Sequence, residues 1–140
     1  MLMAAKDQYH QIVRLALEKD GWTITDDPLK LEAQGHNIKI DLGAEKLIGA
    51  EKEGRKIAVE IKSFIGLSIL TDFYAAIGQC IYYQVALEAE APERQLYLAV
   101  PQPVYQNFFR ESLVTEALQR SKISLVVYDI ETQTLAQWNP

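Results

Sequence analysis

Residues 46–64 read KLIGAEKEGRKIAVEIKSF. Two apolar-rich runs flank Glu53–Gly54, and the pattern predicts a β-hairpin turning at 53–54. Counting outward from the turn sets Leu47 opposite Glu60 and Glu45 opposite Lys62. Side chains alternate along a strand, so Glu60 and Lys62 share one face, roughly 7 Å apart, while Val59 and Ile61 share the other. Ile57, Ala58 and Val59 are apolar on both faces. This is the pattern of a central strand whose charged residues come at one end.

The flanking sequence supplies the other elements. Tyr9, Ile12, Val13, Ala16 and Leu17 fall at helical spacing over residues 4–20, and Gly21 follows as a stop. WTIT (22–25) reads as a short strand ended by DDP. HNIKIDLG (36–43) alternates as a strand does, Ile38 and Ile40 against Lys39 and Asp41. A long helix is expected from Thr71, as N-cap, to about Glu90, with Asp72 in its first turn and Pro92 just past its end. RQLYLAVP (94–101) is an apolar strand, suited to a sheet covered on both faces. Pro103 opens a helix to about Arg120. ISLVVYD (123–129) is another apolar strand, with LAQW (135–138) as its hairpin partner. The order is helix, three strands, helix, strand, helix, then one or two strands. A mixed α/β sheet flanked by helices accommodates it, with the strands on either side of helix 71–90 parallel.

The 140 residues suit a single domain over 1–140, with 49% hydrophobic and 24% charged residues as in a globular protein. The lone cysteine, Cys80, excludes an internal disulfide and any CxxC metal pattern. MLMAAKDQYH lacks an apolar segment of signal-peptide length, and no stretch reaches transmembrane length, so a cytoplasmic protein with no membrane partner is expected. The net charge of −5 argues against a free, tight, non-specific nucleic-acid binder and suits a protein that works with a partner.

The carboxylates that precede Glu60 have the matching parity if no bulge intervenes. Asp41 and Glu45 are candidates to meet it. Two or three carboxylates near one lysine make a site for a hard cation such as Mg²⁺, which takes one or two protein carboxylates and keeps water and phosphate oxygens for the rest. The lysine would orient the attacking water and stabilise charge on the phosphate. A Glu-x-Lys pair alone is common on solvated strands, and the bland alternative is a partly buried ion pair that helps specify the sheet. On helix 71–90, Gln79 and Tyr83 lie four apart with Ala75 above, so Gln79 is placed to reach the site. Ala75, Ala76 and Gly78 are expected to let that helix pack closely on the sheet. His10, His36 and Cys80 have no metal-ligand spacing and are read as structural.

Over IDLGAEKLIGAEKEGRKIAVEIKSF (40–64) the sequence resembles the XisH family, the fdxN element excision controlling factors of cyanobacteria. The resemblance extends through AAKDQYHQIVRLALEKDGWTITDDPL, IGQCIYYQVALEAEAPERQLYLAVP and LVVYD, and so covers nearly the whole chain. That family is similar to the PD-(D/E)XK nucleases, with their restriction-endonuclease-like αβββαβ core. The resemblance implies Asp41 as the first acidic position, Glu60 and Lys62 as the (D/E)-x-K pair, and Gln79 as a helical glutamine found in some branches. Asp41 and Glu60 would hold Mg²⁺ or Mn²⁺. Ile40 stands where the motif has proline, and in a straight ladder Glu45 lies nearer than Asp41 unless Gly43 bends the strand, so Glu45 is the reserve ligand. The resemblance further implies a role in excising an element from a nitrogen-fixation gene during heterocyst differentiation. Partners would be DNA, a site-specific recombinase and an XisI-type companion. The alternative reading is a regulatory protein without turnover, whose acidic surface and tyrosine-rich helix 74–83 serve the companion or a homodimer, with Phe73, Tyr82 and Tyr83 at the contact.

Overall fold

A computed structural model describes residues 5–33, 36–37 and 47–139, with the backbone alone at 5–7, 32–33 and 36–37. Helix α1 spans Ala5–Lys19 and buries Val13, Ala16 and Leu17. It ends in a Schellman motif. Gly21, at φ +93°, donates its N–H to Glu18 O, and Trp22 donates to Leu17 O. The main sheet takes β1 (Thr23–Asp26), β4 (Leu47–Lys52), β5 (Arg55–Ile61), β6 (Arg94–Pro101), β7 (Ser124–Asp129) and β8 (Thr134–Asn139) in the order β1-β4-β5-β6-β7-β8. Two short strands, β2 (Glu32–Ala33) and β3 (His36–Asn37), pair with each other. Most of the strand expected at 36–43 lies outside the described residues.

The hairpin β4–β5 has the expected register. Leu47 pairs with Glu60, and Glu53 and Gly54 turn with φ of 51° and 80°. Both central residues at positive φ match the right-handed twist of the flanking strands. Strands β5, β6 and β7 run parallel, and β1 and β8 are antiparallel edges. Helix α2 (Ile69–Glu90) makes the crossover from β5 to β6. Its N-cap is Ser68, whose hydroxyl accepts from Thr71 N, so Thr71 lies inside the first turn and is not the cap expected from the sequence.

The single helix expected from Pro103 to Arg120 is broken. Helix α3 (Gln102–Val104) passes into a π-helical turn, Tyr105–Phe109, and α4 (Ser112–Arg120) follows after a kink. Phe108 and Phe109 are adjacent and both buried. The wider turn brings consecutive side chains nearer in angle, so both rings reach the core. Thr115 Oγ1 donates to Phe109 O across the break, at 3.2 Å.

The sheet has an apolar core on each face. Leu47, Ala58, Leu98, Val100, Leu125 and Val127 meet α2, Phe108, Phe109 and α4. Ile48, Val59, Ile61, Tyr97, Val126 and Tyr128 meet Val13 and Leu17 of α1. Both crossovers therefore cover one face and α1 covers the other. No helix among the described residues is long and apolar enough to cross a membrane.

Candidate functional site

Glu60 is the sixth of seven residues in β5, between Leu47 on β4 and Leu98 on β6. It is 1% exposed, and Lys62 is 8% exposed. Both have the parity of Ala58, which packs beneath α2. The face expected to carry both charges is therefore the one that a helix covers. Ladder pairing continues one residue past the strand, as Lys62 N donates to Ala99 O at 3.2 Å. Tyr128, fully buried on β7, donates its phenolic O–H to Lys62 O at 3.3 Å. The backbone that presents Lys62 is thus held from the adjacent strand β6 and from β7 beyond it.

The chain then turns sharply. Ser63 is buried, and Phe64 sits at φ 56°, a conformation a bulky residue adopts only when its surroundings impose it. Its ring packs edge-on against Phe109, with centroids 5.3 Å apart. Two residues on, Gly66 N donates to Asp72 Oδ2 at 3.1 Å, which latches the loop to the first turn of α2.

Helix α2 covers the site. Phe73, Ala76, Cys80, Tyr83, Ala86 and Leu87 face inward. Ala76, expected at the sheet, is there. Ala75 and Gly78 face solvent, because at 100° per residue the inward stripe through Ala76, Cys80 and Tyr83 leaves them on the outer side. Gln79 lies on the shoulder of that stripe, three residues after Ala76 and four before Tyr83, and its Oε1 is buried. The Cys80 thiol is pushed well above its ordinary value of about 9.0, first by burial, then by the negative charge of Glu60, with Lys62 opposing. Both charges therefore act on the helical turn that carries Gln79. Glu60, Lys62 and the Gln79–Cys80 turn come together; Asp41 and Glu45 lie outside the described residues.

A family comparison adds to this geometry. The XisH protein family model matches residues 3–136. This chain belongs to the XisH family. Among curated proteins, none matches it. Among solved structures, an XisH family protein from Nostoc punctiforme is 44% identical, covering 96% of this chain and 100% of its own, with a TM-score of 0.89. An fdxN element excision controlling factor protein from Anabaena variabilis is 43% identical, covering 96% of this chain and 99% of its own, with a TM-score of 0.88.

In this XisH chain the cluster around His10 is structural. His10 Nε2 lies 2.8 Å from Asp27 Oδ1, and Arg14 Nη1 donates to Asp27 Oδ2 at 2.6 Å. Together they tie α1 to the segment after β1. Among the described residues no group of three His, Cys, Asp or Glu side chains is placed to hold a metal. Two contributors were missed from the sequence. Ser63 has no motif to mark it. Tyr128 ends the apolar run LVVY, but its contact with Lys62 needs the β6–β7 register, which sequence spacing does not reveal.

Proposed function

We propose that this chain serves as an excision controlling factor of the fdxN type in programmed DNA excision, and that Glu60 and Lys62 hydrolyse DNA phosphodiester bonds. One observation carries the chemistry. A carboxylate and an ammonium, 1% and 8% exposed, share a helix-covered face at the carboxyl end of a strand, just after its buried apolar run Ile57–Ala58–Val59. Taking each charge out of water costs several kcal/mol, and a catalytic role gives a reason to keep both.

The donor chemistry fits a hard cation. The Glu60 carboxylate is the kind of oxygen ligand that Mg²⁺ or Mn²⁺ takes, and Asp41, with Glu45 in reserve, is the proposed second ligand. When bound, the cation supplies Lewis-acid polarisation of the phosphodiester. Lys62 orients the attacking water through its N–H donors and offsets the charge growing on the phosphate oxygens. Ala99 and Tyr128 hold the backbone from which that side chain springs. Gln79, on the turn of α2 that faces the pair, supports the site. The water oxygen bonds to phosphorus and gives up a proton, the ester P–O bond breaks, and the leaving oxygen takes up a proton in exchange, so that water is added across the bond. With a net charge of −5, recruitment to DNA falls to partners, an XisI-type companion and a site-specific recombinase.

The test is a cleavage panel of single-stranded, duplex and branched DNA with Mg²⁺ or Mn²⁺, with and without the companion. Cutting that needs the metal is expected, reduced at least about a hundredfold in Glu60→Ala and in Lys62→Ala. Equal cutting by Glu60→Ala would reject the site. No cutting on any substrate would leave a nuclease-like scaffold used for binding.

A further inference from the structure

The outer face of α2 is apolar where solvent should make it polar. No charged residue occurs in the fifteen positions from Phe73 to Leu87. Tyr74 is 64% exposed, Tyr82 55% and Val85 62%, with Leu70 and Ile81 also exposed. A surface helix normally turns charged residues outward, and one apolar on both sides is normally covered on both. These five side chains expose on the order of 500 Å². A standard interface buries about 800 Å² per partner, a little over half of it non-polar, so it needs roughly 450 Å² of such surface from each side. The stripe supplies it.

We infer that this face of α2 is the contact between two copies of the chain. Leu70, Tyr74, Gly78 and Tyr82 lie on one i, i+4 ridge, and Gly78 stands near the middle of the 22-residue helix. About a two-fold axis through that middle, two such helices cross with Gly78 near its own copy and Tyr74 over the copy's Tyr82. Interdigitated i±4 ridges are the commonest helix-packing class, and a glycine at the crossing allows close approach. Charge favours a like partner. Two chains of net charge −5 repel over most approaches, but this face brings no carboxylates together. A basic partner would find no carboxylate between Phe73 and Leu87 to pair with. Phe73 and Tyr83, weighed from the sequence as contact residues, are buried on the sheet side and take no part.

Sedimentation equilibrium of the full chain tests this. The expected mass is twice 15.9 kDa. Tyr82→Glu combined with Val85→Lys should give the monomer with an unchanged circular dichroism spectrum. Gly78→Leu is the sharper probe, because a Cβ at Gly78 meets nothing within 4 Å in the single chain. It should leave the folded chain intact and weaken association by about tenfold or more. A monomer at all micromolar concentrations would overturn the inference, even if the face then proved to bind a different protein. So would a dimer that survives the Tyr82/Val85 double variant or is indifferent to Gly78→Leu.

Discussion

Glu60 and Lys62 were legible from the alternation of IAVEIK alone, because a period of two decides which side chains share a face. Their burial was not, because it depends on α2 lying over that face. Replacing both by apolar residues of similar size, Glu60→Leu with Lys62→Met, should leave folding stability unchanged or raise it by about 1–4 kcal/mol in urea titration, while any cleavage is lost. A large loss of stability would mean that the charges hold the fold together. Cys80 gives a pH prediction. The unfolded chain releases the thiol proton above about pH 9, and the folded chain retains it because its value is raised. The folded state then binds more protons, so stability falls as pH rises above about 9, by at most about 1.4 kcal/mol per pH unit, and is unaffected by this group below. Wild type should lose stability more steeply than Cys80→Ala between pH 9 and 10.5. Parallel slopes would contradict the buried, protonated thiol.

Elements were read well where local chemistry decides them and less well where packing does. The Glu53–Gly54 turn and the Gly21 stop follow from residues that tolerate positive φ, and the hairpin register follows from the turn. The cap of α2 was misplaced because Ser68 and Thr71 are both good N-caps, and only the loop held by Asp72 selects between them. The break at Arg110–Glu111 carries no proline or glycine. It reflects two adjacent phenylalanines both drawn into the core, a tertiary demand. The end of α4 makes a further prediction. Lys122, at φ 55°, occupies the position that Gly21 fills after α1, with its N–H on Gln119 O and Ile123 N–H on Leu118 O. Lys122→Gly should therefore stabilise the protein by about 1 kcal/mol, seen as a raised thermal midpoint. A lowered midpoint would show that the lysine side chain contributes more than its backbone costs.

Across the molecule, the parallel pairing of β5 with β6 was foreseeable, since a helix of this length between two strands forms a crossover. The placement of β1 beside β4 was not, because it is a long-range pairing of a short edge strand with a register shift at Ile24–Asp26. Leu98 sits at the centre of this arrangement, beside Glu60 and fully buried under α2. Leu98→Ala should cost about 2–5 kcal/mol in denaturant unfolding, because packing from both neighbouring strands resists collapse of the cavity. A cost under 1 kcal/mol would mean that α2 settles onto the sheet. The enclosure of Cys80 also has a practical use. The chain has no other cysteine, and this one lies between helix and sheet. A cysteine introduced at exposed Glu93, in the turn before β6, becomes the one thiol open to a maleimide dye or a spin label. Attachment at a single chosen point then requires no prior change to the native core.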